Sequence, residues 1–378
     1  LNATALALVG KFVFPDLFAQ GYLYSIADFD VYAGEILLAS AAIIVFGWFN
    51  YRGVKVVGQT QVLLLCVMVS AVFLLATGSV LDTGSTLANL RPPFAPGQSA
   101  VGGVLAMVAI APWMLSGFDT LPQAAEEFAF SPTQAFRLML LSIAGGVILY
   151  LTVLLATSYF MPWPELVAAH PEWATGFATE RTLGSIGVAV LSLALLMGIF
   201  TGMNGFFMAA SRLMFSMGRA KILPAWFGRL SPAHGTPSNA ILFAAATSLL
   251  APWFGRPALL WVVDMSAVGI AMGFLYTCIG ASALLKTQPQ LAPVYCGQRV
   301  AVAGVVVSAG FIALLIVPGS PAFMAPPSWI ALAGWVTLGS AFYLTRVADF
   351  GGMSRAELDY VILGKGRFDP PRGGIGKS

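Results

Sequence analysis

The sequence predicts an all-α integral membrane protein, a multispan helical bundle, on three observations. Of its 378 residues 58% are hydrophobic and 9% charged, where a soluble domain carries about a quarter charged. So little charge cannot coat a surface facing water, and so much apolar content excludes disorder. Apolar stretches of about 20 residues, each long enough to cross a hydrocarbon core, recur along the whole length. Between those stretches, Lys and Arg fall on alternate loops. A helical bundle follows because lipid offers no partner to the unpaired backbone groups of an open sheet.

The elements follow in chain order. The opening LNATALALVGKFVF (1–14) is apolar but too short to span. It lacks the basic region and cleavage site of a signal peptide, and it reads as the end of a helix that starts before the chain does. Nine spans are predicted at 32–50, 60–80, 101–128, 138–160, 183–211, 238–254, 258–284, 300–317 and 327–345. The stretch 300–345 has no charge except Arg346 just beyond it, and VPGSPAFMAPP (317–327) supplies its turn.

Orientation follows from the basic residues. One set of loops holds Arg52, Lys55, Arg137, Arg212, Arg219, Lys221, Arg229, Lys286, Arg299 and a tail with six more; the other holds Lys11, Arg91, Arg181 and Arg256. The split, 15 against 4, places the first set and the tail 346–378 in the cytoplasm of a cell (plasma or inner) membrane. One helix too many or too few would scramble this alternation.

Several classes drop out. The net charge of +3 is too small for nucleic acid. Cys66, Cys278 and Cys296 match no metal or disulfide spacing, and His170 and His234 are isolated, so no metal and no cofactor is expected. No catalytic residue set is visible, and no phosphate-binding GxxxxGK[ST] motif is present.

The third span departs from a smooth Leu/Val/Ala run. In VGGVLAMVAIAPWMLSGFDTLPQAAEEF (101–128), Pro112, Gly117 and Pro122 crowd one segment. Pro112 removes a helical hydrogen bond and Gly117 frees the backbone. Asp119, with Thr120, Leu121 and Pro122 after it, reads as the N-cap of a new helix. The prediction is a helix that stops near 113–116 and restarts near Asp119. Non-helical backbone at membrane depth persists only where it is buried or lines a cavity, and broken helices build many transporter sites. The first half then aims spare carbonyls at a cation such as an ammonium. The same residues also fit a simple kink capped by Asp119.

Asp264, in LLWVVDMSAVGIAMGF, is the other acid within a span, and an embedded carboxylate is a functional candidate. Its two readings are an ion or substrate path and an interhelical hydrogen bond. Glu35 sits nearer its span's end and reads as interfacial. Gly198 and Gly202 have the GxxxG spacing of close helix packing, and Thr201 and Asn204 beside them are candidates to face a cavity.

Four blocks resemble one family, the amino acid–polyamine–organocation (APC) permeases. NYRGVKVVGQTQ (50–61) resembles the loop between their fourth and fifth helices, and SGFDTLPQAAEEF (116–128) their broken sixth helix. RLMFSMGRAKILPAWFGRLSPAHGTPSNAI (212–241) resembles the loop after the eighth, and VDMSAVGIAMGFL (263–275) is similar to the tenth. The resemblance implies a five-plus-five inverted-repeat, leucine-transporter-like permease fold in one transmembrane domain over 1–378. Residues 1–14 would end helix three, 32–284 would form helices four to ten, and 300–345 helices eleven and twelve. Helices one and two are then absent from the chain.

Carried onto this sequence, the ammonium-facing backbone is Ser116, Gly117 and Phe118, with Trp113 as a wall over the substrate side chain and Asp119 as a gate or coupling acid; Asp264 is the second coupling candidate. Proton-coupled relatives can carry a Lys in the fifth helix, but QTQVLLLCVMVS offers Cys66 or Met68 there. Uniport, exchange, or coupling of a proton through Asp119 or Asp264 remain open. The implied function is secondary active transport of amino acids or related amines by alternating access, with a small-molecule substrate and the lipid bilayer as partners and no reading of oligomeric state. The alternatives from the residues alone are an integral membrane enzyme or an ion channel.

Overall fold

The structure, a computed structural model, describes residues 1–27, 29–53, 57–95, 97, 99–123, 131–169, 171, 173–287, 297–347, 353–354 and 357. Helix α1 (Asn2–Val13) stops before Pro15, which opens the short α2 (Pro15–Phe18). A hairpin follows, β1 (Tyr22–Ile26) antiparallel to β2 (Phe29–Tyr32), with Ser25 opposite Asp30. Sequence analysis places no element there. The segment is too short for periodicity to register, yet its Tyr, Ile, Phe and Val content suits a strand.

Helix α3 (Ala33–Arg52) ends at Gly53, whose φ of 69° is the left-handed stop that glycine adopts without cost. Next come α4 (Val57–Leu81), α5 (Ala100–Met114), α6 (Thr120–Gln123) and α7 (Pro132–Phe160). Ser131 caps α7, accepting from Gln134 N–H at 3.3 Å. Beyond α8 (Trp163–Ala168), α9 (Ala174–Arg219) bends at Gly184, where φ 63° and ψ −158° leave the helical region. The chain closes with α10 (Ser238–Ser248), α11 (Pro257–Thr287), α12 (Gly297–Ile316) and α13 (Pro326–Leu344).

Among the described residues six helices are long and apolar enough to cross a membrane, namely α3, α4, α7, α9, α11 and α12, with mean hydropathies of 1.6 to 2.5. The stretches predicted as spans at 101–128, 238–254 and 327–345 are not among them. Helix α5 has 15 residues because Pro112 and Gly117 stop it. Helix α10 has 11 and gives way to a 3-10 turn, Ala251–Phe254, containing Pro252. Helix α13 has the length, 19 residues, and starts with Pro326 and Pro327 in its first turn. The protein buries little of these apolar faces, from 0% of the most apolar window in α7 to 33% in α9. Leu141, Ile186 and Ile330 are more than 65% exposed, a surface suited to lipid and not to water.

The main contacts sort the helices into two packing groups. Helices α1, α3, α4, α7, α9 and α10 pack around α9; α5, α11, α12 and α13 pack around α11. Lipid supplies no hydrophobic drive between helices, so small residues and polar bonds carry the packing. Gly198 of α9 faces Met68 of α4, and Gly202 faces Asn2 of α1, which is the close packing expected of that glycine spacing. Asn204 is buried and accepts from Asn50 of α3 at 3.0 Å, while Thr201 bonds its own helix at Met197 O. Asn204 is thus engaged across two helices and Thr201 within its own.

The hairpin gathers one end of the bundle: Tyr24 Oη donates to Trp253 O (2.5 Å), at the turn before α11. At the opposite end Thr236 Oγ1 donates to Tyr51 O (2.7 Å), and a fully buried Phe227 packs among Trp226, Phe243 and Phe342.

Candidate functional site

The two halves of the broken segment belong to different packing groups. Helix α5 lies on α11 and α12, whereas α6 contacts α9. Residues 115–119 between them are turns, and the remainder of the predicted third span, 124–128, lies outside the described residues.

The break is built by local backbone chemistry. Leu115 N–H still reaches Ala111 O at 3.0 Å, but Ser116 N–H tightens to Trp113 O at 3.0 Å. Gly117 then takes φ 129°, a conformation L side chains rarely adopt. Its N–H donates to Asp119 Oδ1 at 2.7 Å, and its carbonyl accepts from Thr120 N–H (3.1 Å) and Thr120 Oγ1 (2.6 Å). Leu121 N–H donates to Phe118 O at 3.3 Å.

Counting partners shows what is left. Among the described residues, no donor reaches the carbonyls of Met114, Leu115 and Ser116. The last carbonyls of a helix have no partner within it, and these three half-buried oxygens are open to water, a side chain or a ligand. Of the three residues named for an ammonium, Ser116 keeps a spare carbonyl, while those of Gly117 and Phe118 are already bonded within the turn.

Asp119 stands where the N-cap of α6 is expected, but its carboxylate turns back. It accepts from Gly117 N–H rather than from the first turn of the new helix. It therefore holds the break in shape. Trp113 packs half-buried on an apolar cluster of Ala109, Ala267, Val268, Leu315 and Met324. Phe118 faces Phe274 of α11, ring centroids 5.8 Å apart, a pairing that sequence reading missed because nothing local links the two positions.

Asp264 is joined to Ser328 of α13, whose Oγ donates to Oδ2 at 2.7 Å; Ser328 is fully buried. The carboxylate is thus an interhelical acceptor. Ser328→Ala is expected to destabilise the protein by about 1–3 kcal/mol by removing that donor, read as earlier thermal unfolding in detergent. Glu35 is not simply interfacial: its side chain is 15% exposed and lies 3.2 Å from Lys11 Nζ, itself 9% exposed. No cluster of three or more metal-binding side chains occurs among the described residues.

Comparison with known proteins gives a consistent picture. The amino acid permease family profile matches residues 2–341. An uncharacterised transporter of Rhizobium meliloti (strain 1021) is 29% identical over 249 residues, 62% of this chain and 50% of that protein. The methylthioribose transporter of Bacillus subtilis (strain 168) is 26% identical over 319 residues, 84% and 64% of the respective chains. A branched-chain amino acid permease of Lactococcus lactis subsp. cremoris (strain MG1363) is 24% identical over 270 residues, 68% and 54%. The chain spans between half and two thirds of the length of these relatives. With a mainly helical architecture, long apolar helices and a match over nearly its whole length, the chain belongs to the amino acid permease family.

Proposed function

We propose that the protein is a secondary active transporter of amino acids or related amines, working by alternating access in the cell membrane with its C-terminal tail in the cytoplasm. The observation that carries the reading is the trio of carbonyls at Met114, Leu115 and Ser116, which no donor among the described residues reaches and which offers negative dipoles to a substrate ammonium. The two packing groups meet at this break, so a ligand held there touches both parts that must move relative to one another. The basic-residue split supports the orientation, which puts the hairpin end outside.

Substrate class is where the relatives diverge. One is named for branched-chain amino acids and another for methylthioribose, a sugar that brings no ammonium. The carbonyl trio favours the amine.

The test is uptake into proteoliposomes holding the protein, with a panel of labelled amino acids, amines and methylthioribose. Saturable uptake of one amine-bearing class is expected; uptake of methylthioribose alone, or of nothing by folded protein, would sink the reading. Asp119→Asn is expected to keep substrate exchange, because the amide oxygen accepts the same Gly117 N–H. Asp119→Ala is expected to lose about tenfold, one unsatisfied backbone donor's worth. Loss of pH-driven accumulation in the Asn variant, with exchange intact, assigns Asp119 the coupling proton; unchanged accumulation leaves it a positioning residue only.

A further inference from the structure

The hairpin end encloses a pocket lined by Thr4, Lys11, Phe29, Asp30, Glu35 and Arg256, contributed by α1, β2, α3 and the turn before α11. Its charges are unequally committed. Glu35 takes Lys11 at 3.2 Å and Tyr32 N–H at 3.2 Å. Asp30 accepts from Ser25 Oγ at 2.6 Å and lies 3.5 Å from Tyr32 Oη, which leaves an exposed carboxylate with lone pairs to spare. Arg256 lies 4.5 Å from the centroid of the Phe29 ring and donates one long bond, 3.5 Å, to Pro171 O. Among the described residues no carboxylate lies within 4.0 Å of its guanidinium. A guanidinium has five N–H donors in a fork that fits a carboxylate, and here most of that fork is unspent.

One pocket therefore presents a cation and an anion that are not paired with each other, the Phe29 ring fixing the plane of the first. We infer that this is an outer recruitment site for the zwitterionic form of an amino acid. The ligand's carboxylate docks on Arg256 and its ammonium on Asp30. The interior volume, about 20 Å³, is no larger than one water, so the ligand sits at the mouth, where Asp30 is exposed. Helix α11 starts at Pro257, next to Arg256, and packs on α5, so capture at the mouth acts on a helix that touches the break. The inference rests on the amino-acid reading above and deepens it by requiring both charges of the substrate.

The experiment is equilibrium binding of a radiolabelled amino acid, the one taken up in the panel, to protein in nanodiscs. Two molecules per chain are expected for wild type and one for Arg256→Gln or Asp30→Asn, each checked as monodisperse. Gly117→Ala is expected to lose the other site and keep this one. The decarboxylated amine is expected to bind at one per chain in wild type and in Arg256→Gln alike. One amino acid bound to wild type and still one to both variants overturns the outer site and leaves the permease standing. Loss of all binding in both variants reduces Arg256 and Asp30 to structural clasps and also overturns it. No binding of any amino acid to folded wild type removes the amino-acid reading itself.

Discussion

Gly117→Ala is expected to cut substrate exchange at least tenfold and to lower the thermal unfolding temperature modestly, with the helical content of the protein close to wild type. A methyl group at this position meets nothing within 4 Å, so the effect is not a clash. It comes from the backbone: φ of 129° costs an L-residue on the order of 1–3 kcal/mol, and tenfold is 1.4 kcal/mol. Relief of that strain means rotating the 116–117 peptide. Rotation breaks the Gly117 N–H bond to Asp119 and swings the Ser116 carbonyl away from its neighbours. Counterflow exchange in proteoliposomes, beside circular dichroism of the same sample, is the measurement. Wild-type exchange in the Ala variant would show that substrate is held elsewhere.

Lys11→Met is expected to destabilise the protein by about 3 kcal/mol, the cost of leaving a largely buried carboxylate without its ammonium. The side chains of Lys11 and Glu35 are 9% and 15% exposed and 3.2 Å apart, joining the end of α1 to the first turn of α3. The Lys11 ammonium also lies 5.2 Å from the centroid of the Tyr32 ring. Replacing both partners, Lys11→Met with Glu35→Met, is expected to recover most of the loss, since two apolar groups of similar length leave no charge to solvate. Thermal unfolding in detergent of the two singles and the double closes the cycle. Additive losses would mean that the two charges are solvated independently.

The membrane class, the helical architecture and the position of the break were legible in the amino-acid sequence because each depends on chemistry within a few turns. Hydropathy over about 20 residues decides solubility in lipid. Pro112 lacks an N–H and Gly117 tolerates a positive φ wherever they stand, so α5 had to stop near Met114. The same local logic could not mark where α10 gives way to a 3-10 turn, because Pro252 stands inside an otherwise apolar stretch. It erred also at Asp119, because an aspartate before a helix start can accept from either direction, and here the turn at Gly117 presents its N–H first.

What each polar side chain bonds was decided only by tertiary structure. Asn50 and Asn204 lie 154 residues apart, and Asp264 and Ser328 lie 64 apart; no periodicity marks them as partners. The hairpin that brings Phe29 over Arg256, and the seating of Phe118 against Phe274, are likewise products of helix docking. In lipid an apolar face gains little by choosing one helix over another, so the hydrophobic pattern tells which residues enter the membrane and is silent on which helices meet. That choice falls to small residues that admit close approach and to buried polar groups that must find one another, and both are properties of the assembled bundle.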